Sequence, residues 1–148
     1  MEHYTPSKAI AAAYRLSQSI LRAKLATLSI EAQQADSLYV ISNREGLSQQ
    51  ELSGLLSVSK SATTQAVKNM IAAGYVRKEV DAMDKRVSRL YLTEEGKAIA
   101  PRINEVFGEL IDLHQEAFSA EERKQFEQLI TKLVDELREK KSDISAKE

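Results

Sequence analysis

LSQQELSGLLSVSKSATTQAVKNMIAAGYVRKEVDAMDKRVSRLYLTEEG, Leu47 to Gly96, is the stretch on which the fold turns. Ser48 and Glu51 stand at capping-box spacing, and Leu47 and Leu52 occupy the two staple positions, so a short helix starts here. Leu52, Leu55 and Leu56 are its candidate core contacts. Ser57-Val58 makes a tight turn, Ser59 caps a second helix, and Gly74 stops it. Tyr75–Val80 and Val87–Leu92 are strand-like runs, separated by Asp81-Ala82-Met83-Asp84-Lys85-Arg86. Thr93-Glu94-Glu95-Gly96 then opens another helix, with Thr93 as cap and two acids at the positive end of the dipole. Helix, turn, helix, hairpin, helix predicts a winged helix-turn-helix, whose second helix fits the DNA major groove.

The two faces of that second helix differ in chemistry. Thr63, Ala66, Val67, Met70 and Ile71 form an apolar stripe. Lys60, Ser61, Thr64, Gln65 and Lys68 line the other side, which carries no acid. Hydroxyls and amides can bond base edges, and lysines can bond phosphate or guanine. The bland reading is a solvated helix face, but such faces usually mix Glu with Lys. On the hairpin, alternation puts Leu90 and Leu92 on one face and Arg89 and Tyr91 on the other. Lys85 and Arg86 fall at the tip, where a guanidinium can enter a narrow minor groove. Asp84 is placed to hold Arg86 by a salt bridge; a surface turn that merely happens to be charged would look the same. The candidate DNA-binding set is Ser59, Lys60, Ser61, Thr64, Gln65, Lys68, Asp84, Lys85, Arg86 and Arg89.

Charge is distributed in the same sense. The net charge of −1 hides seven cations against three acids from Val58 to Thr93, and eight cations against twelve acids from Ala98 onward. A basic segment is carried on an acidic frame, and local charge is what attracts phosphate.

Helical periodicity covers most of the flanks. Thr5-Pro6 starts a first helix with a cap and a proline at N1. Ile10, Tyr14, Ser17, Leu21 and Leu28 mark one face, so this helix is expected to reach about Leu28. Ser29 is expected to cap the next, with Ala32, Ala35, Leu38 and Tyr39 on one side and an end before Gly46. Pro101 should kink the helix that Thr93 opens, and Gly108 is a second weak point. Ser119 and Glu122 form another capping box. Phe126, Leu129, Ile130, Leu133 and Leu137 give the last helix an apolar stripe, with fraying expected from Arg138.

Several function classes find no support. The chain has no cysteine, which excludes disulfides, thiolate metal sites and thiol redox sensing. His3 and His114 are its two histidines, so a zinc cluster would need several carboxylates. No apolar run approaches the ~20 residues of a membrane span, and the N-terminus lacks the apolar core of a signal peptide, so an intracellular protein without a membrane partner is expected. There is no nucleophile–base pair, phosphate loop or credible metal set for an enzyme, and no cofactor is expected. Glu121-Glu122 is better explained as helix-start charge than as a catalytic pair.

Asp84-Lys85-Arg86-Val87-Ser88-Arg89-Leu90-Tyr91-Leu92-Thr93-Glu94-Glu95-Gly96 resembles the Asp-x-Arg wing and Leu-x-Leu-Thr-x-x-Gly of the MarR family of bacterial transcriptional regulators. Met70 and Gly74-Tyr75-Val76 match that family's passage from recognition helix to first wing strand. The resemblance covers most of the chain and implies a single domain over 1–148. Its winged helix-turn-helix core would span about 30–96, flanked by dimerisation helices at about 5–28 and 94–140. It further implies a cytoplasmic homodimer that reads a near-palindromic operator, probably the wrong template only if the chain were a winged-helix module that binds protein instead. Many members respond to a small aromatic ligand in a cleft; Tyr14 and Tyr39, with Arg15 or Arg22 for an anionic group, are the candidates here. Both tyrosines would equally serve as plain packing.

Overall fold

Helices and one hairpin account for nearly all of residues 5–146, the part of the chain that the computed structural model describes. The elements are α1 (Pro6–Leu25), α2 (Ala32–Asn43), α3 (Gln49–Leu56), α4 (Lys60–Ala72), β1 (Val76–Val80), β2 (Ser88–Leu92), α5 (Glu94–Glu116) and α6 (Ala120–Ser145). The class is mainly α with a small β-hairpin, as the sequence predicts. The chain divides into two compact units between Leu110 and Ile111.

In the first unit, local signals place most boundaries. The Thr5 side chain accepts the Lys8 N–H at the start of α1. The Ser48 hydroxyl accepts from the Glu51 N–H at 3.0 Å while the Glu51 carboxylate accepts from the Ser48 N–H at 2.7 Å, a closed capping box worth about 1 kcal/mol. α4 ends in a Schellman turn: Tyr75 N–H reaches Met70 O and Gly74 N–H reaches Ile71 O, both at 3.0 Å, with Gly74 at φ +82°.

Two expected boundaries move. α1 stops at Leu25, not near Leu28, because Leu28 N–H turns back to Leu25 O and Ser29 adopts φ +54°. Ser29 in that left-handed conformation cannot cap α2. Glu31 does so instead, in a reciprocal box with Gln34.

One core holds the unit together. Leu21 and Leu25 of α1 meet Ala35, Leu38 and Ile41 of α2, Leu52 of α3, Val67 and Met70 of α4, Val76 and Leu90 of the hairpin, and Ile103 and Val106 of α5. Leu55 and Ile71, expected in the apolar stripes, are instead exposed, because each lies at the margin of its helix's buried face. α3 and α4 are also joined by a polar contact inside the core. Ser53 Oγ and Thr63 Oγ1 lie 2.7 Å apart, and the Thr63 hydroxyl reaches Ser59 O at 3.1 Å.

The hairpin is antiparallel, in register Val76↔Leu92 through Val80↔Ser88. Residues 45–48 run along the free edge of β2 and satisfy it: Gly46 N–H donates to Leu90 O at 2.8 Å, and Leu90 N–H to Leu47 O at 3.0 Å. Thr93 then links hairpin to helix. Its N–H donates to Tyr75 O at 3.0 Å, its hydroxyl donates to Gly74 O, and its Oγ1 caps the Gly96 N–H at 3.0 Å. A Cβ on Gly96 would lie 2.0 Å from Tyr75 O, so only glycine fits at this crossing. α5 continues past both Pro101 and Gly108 to Glu116.

In the second unit, Ser119 and Glu122 close the expected capping box, and the Phe118 ring stacks on Phe126 at 5.0 Å. α6 stays helical to Ser145, beyond the fraying expected from Arg138; Lys140–Glu136 and Arg138–Asp135 ion pairs line this last stretch. No residue of α6 is buried, and Phe126, Leu129, Leu133 and Leu137 are exposed.

Candidate nucleic-acid interface

The recognition surface begins with how α4 is held. Its apolar side packs inward through Thr63, Ala66, Val67 and Met70. That leaves Lys60, Ser61, Gln65 and Lys68 exposed and Thr64 half-buried. Ser59 caps the helix through the Ala62 N–H at 3.1 Å and lies 3.1 Å from the Ser61 hydroxyl. Gln65 Nε2 donates to Asn69 Oδ1 at 2.9 Å along the same face. Gln49 Nε2, on α3, donates to Thr64 Oγ1 at 2.8 Å, so the first helix of the pair fixes a side chain on the second.

Between α3, α4 and the hairpin lies a concavity of ≈ 350 Å³. α3 contributes Gln49 and Gln50 with the preceding Ser48; α4 contributes Lys60 and Thr64; the hairpin contributes Lys78, Arg86 and Ser88. Its lining holds three cations and no carboxylate. The sequence reading missed Gln49, Gln50, Lys78 and Ser88. The capping box marks where α3 begins, but only its packing on α4 turns that first turn toward the groove. Lys78 faces the concavity through pairing with Leu90 opposite, which a strand considered alone does not reveal.

The wing tip is ordered by two carboxylates. Asp81 Oδ1 accepts the N–H groups of Met83 and Asp84 at 2.8 and 2.9 Å. Asp84 accepts Arg86 N and Nε through Oδ1 and Arg86 Nη2 through Oδ2, each at 3.0 Å. The Arg86 guanidinium hydrogen bond, then its backbone N–H, hold the Asp84 carboxyl below the usual carboxylate range. Arg86 is nonetheless 90% exposed, a fork already aimed by its partner. Lys85 beside it is also exposed.

Arg89 is placed differently from its neighbours in the predicted set. Its Nε donates to Asp81 Oδ2 and its Nη1 to Gly46 O at 2.9 Å, so it turns toward residues 45–48. Asp81 is pushed down to about 2, first by this guanidinium and then by the Asp84 and Met83 N–H groups.

The four ligand candidates do not come together. Tyr14 and Arg22 line a second concavity of ≈ 350 Å³ with Gln18 and Asp36. Tyr39 lies elsewhere, its ring stacked on Phe107 at 4.4 Å and 19°. Arg15 is exposed and outside that lining. Asp36 is half-buried, and burial raises its pKa against the lowering effect of a Gln18 hydrogen bond.

Among the described residues no group of three or more His, Asp or Glu side chains could hold a metal ion, and no helix is long and apolar enough to cross a membrane. His3, considered above for zinc, lies outside the described residues.

Comparison with known proteins places this geometry. A family model described as MarR family matches residues 28–87, from the end of the α1–α2 turn to the hairpin tip. An uncharacterized HTH-type transcriptional regulator of Bacillus subtilis, YwhA, is 33% identical over 79 residues, covering 53% of this chain and 57% of the relative. The chain's match spans 57% of the length of the curated relatives it resembles. A MarR protein from Peptoclostridium difficile superposes with a TM-score of 0.82 at 28% identity, over 91% of this chain and 88% of that one. A mutant MarR from E. coli, crystallised in complex with operator DNA, gives a TM-score of 0.75 at 26% identity, over 86% and 91%.

Proposed function

The chain belongs to the MarR family of transcriptional regulators, and from that premise we propose that it is a sequence-specific DNA-binding regulator acting as a homodimer. The observation that carries the reading is the basic concavity between α4 and the hairpin, where Lys60, Lys78 and Arg86 converge without a carboxylate in the lining. α4 enters the major groove. Ser61, Thr64 and Gln65 read base edges, Lys60 and Lys68 bind phosphate, and Arg86 enters the adjoining minor groove. The E. coli MarR structure with operator DNA lends this arrangement a precedent.

Dimerisation accounts for the apolar surface that one chain leaves uncovered: Ile10, Leu16 and Ile20 on α1, and Leu129, Leu133 and Leu137 on α6. A two-fold dimer presents two recognition helices about 34 Å apart, one turn of DNA. If a small ligand releases the operator, Tyr14 and Arg22 are the residues of the original four that share a cavity for it. Such a ligand must bind the DNA-free arrangement more tightly than the DNA-bound one.

Selection of fragments from a random DNA library by the purified protein tests the function. A near-palindromic consensus, with sedimentation as a dimer at micromolar concentration, is the expected result. No enrichment and no binding to any duplex at low salt refutes it.

A further inference from the structure

Arg89 carries a cation on the strand that leads to the wing tip, yet its surroundings cancel that charge. The guanidinium meets the Asp81 carboxylate and the Gly46 carbonyl, and the field of Glu51 adds to both. Asp81 in turn is the hub of the loop. One of its oxygens receives the Met83 and Asp84 N–H groups, the other receives Arg89. Asp84 then grips Arg86 through three hydrogen bonds. The links form one unbroken series: Gly46 carbonyl, Arg89, Asp81, the backbone at 83–84, Asp84, Arg86. Gly46 is itself tied to β2 through Leu90 O. Within the loop, the other backbone ties are Asp81 N–H to Val87 O and Val87 N–H to Asp84 O, both at 2.9 Å. Those two bonds close the loop but do not connect it to residues 45–48. The Arg89–Asp81 pair does.

We propose that Arg89 and Asp81 are a positioning pair that sets the aim of Arg86 relative to α4, and that Arg89 itself does not touch DNA. The proposal rests on the DNA-binding reading above. Arg89 lies in the same basic run as Arg86, but reaching phosphate would require it to abandon two hydrogen bonds and a carboxylate. A carboxylate so close to a DNA-contacting loop is otherwise a liability, since it repels phosphate. The structure gives it a task that outweighs the repulsion: it joins the loop to the body through the one side chain that can bridge a carboxylate and a carbonyl at once. A guanidinium has the planar fork for that; an ammonium is a single point of contact.

Charge and position make opposite predictions, which allows a clean test. Asp81→Asn keeps an oxygen for the Met83 and Asp84 N–H groups but presents an amide donor to Arg89, so it cuts the link and removes a negative charge. Arg89→Lys keeps the positive charge and cannot bridge both acceptors. Affinity for the selected duplex is measured by fluorescence anisotropy at salt concentrations from about 50 to about 200 mM, where counterion release is resolved. The proteins are wild type, both variants, Arg86→Ala, and each variant combined with Arg86→Ala. Melting temperature and sedimentation are checked for each. Both single variants are expected to bind about tenfold more weakly, the scale of one misplaced contact. Their salt slopes should stay at the wild-type value, because no phosphate contact is deleted. Neither should weaken binding further once Arg86 is alanine. Tighter binding by Asp81→Asn, wild-type affinity in Arg89→Lys, a reduced salt slope in Arg89→Lys, or full additivity with Arg86→Ala overturns the proposal. Should Asp81→Asn fail to fold, the Arg89→Lys arm decides the matter alone. If wild type binds no duplex, the DNA-binding reading falls, and that result is distinct from every other.

Discussion

Replacing Arg86 with alanine removes one exposed, pre-aimed cation from each wing. In a dimer that makes two cations per operator. Each phosphate contact contributes about 0.9 to the slope of log K against log salt, so the slope should fall by about 1.8. From about 50 to about 200 mM salt the logarithm of concentration changes by about 0.6, and the deficit of the mutant should therefore shrink by about a factor of ten. The loss should be largest at low salt and should extend to non-operator DNA, because the contact is electrostatic. Asp84 adds a second effect. Without Arg86 its carboxylate, now unpaired by that guanidinium, faces the phosphates. The Asp84→Ala/Arg86→Ala double variant should consequently recover part of the lost affinity, and Asp84→Ala alone should do less harm than Arg86→Ala. Anisotropy titrations over the salt range, with melting temperature as a control for folding, measure all of this. An Arg86→Ala protein that tracks wild type at every salt concentration would show that the wing stays clear of DNA.

Gly96→Ala should destabilise the first unit, since the new Cβ would lie 2.0 Å from a backbone oxygen that cannot swing aside. A cost of about 2–3 kcal/mol is expected, seen as a fall in melting temperature of about 5–15 °C; an unchanged melting point would contradict it. Asp36→Asn should do the opposite at neutral pH. Burial raises the folded pKa of Asp36, so wild-type stability declines as pH climbs from the model value of 3.8 through that raised pKa. The variant's gain in melting temperature should be present at pH 7 and vanish at about pH 3; a gain independent of pH would point to another cause. Leu129→Glu on α6 should shift sedimentation toward the monomer, and a dimer of wild-type strength would place the interface elsewhere.

What the sequence revealed, it revealed through short-range chemistry. Ser48 with Glu51, Ser119 with Glu122, Thr93 with Gly96 and the Gly74 stop each act within a few residues, and each stands where the sequence puts it. The α1–α2 boundary failed for a local reason too: Ser29 is the commoner cap, yet Glu31 performs the task once Ser29 turns left-handed. Long-range partners were out of reach. Nothing beside Tyr39 announces that Phe107 will stack on it, and nothing beside Arg89 names Gly46 as its acceptor. A basic residue in a basic run reads as a contact until the fold shows which way it turns. Gln49 and Gln50 carry the converse lesson: they look like ordinary helix-start residues until α3 packs on α4.

The hydroxyl pair inside the helix-turn-helix restricts how this sequence can drift. Ser53 and Thr63 are both buried, and each supplies a hydrogen-bonding partner to the other. Replacing either one with an apolar residue strands the second, at a penalty of about 1–3 kcal/mol, whereas replacing both with apolar groups of matching shape is close to neutral. Descendants of this chain therefore face a valley between two acceptable cores. Crossing it requires a paired change or prior surplus stability, so these two positions are expected to travel together while the DNA-facing side of α4 diversifies one residue at a time.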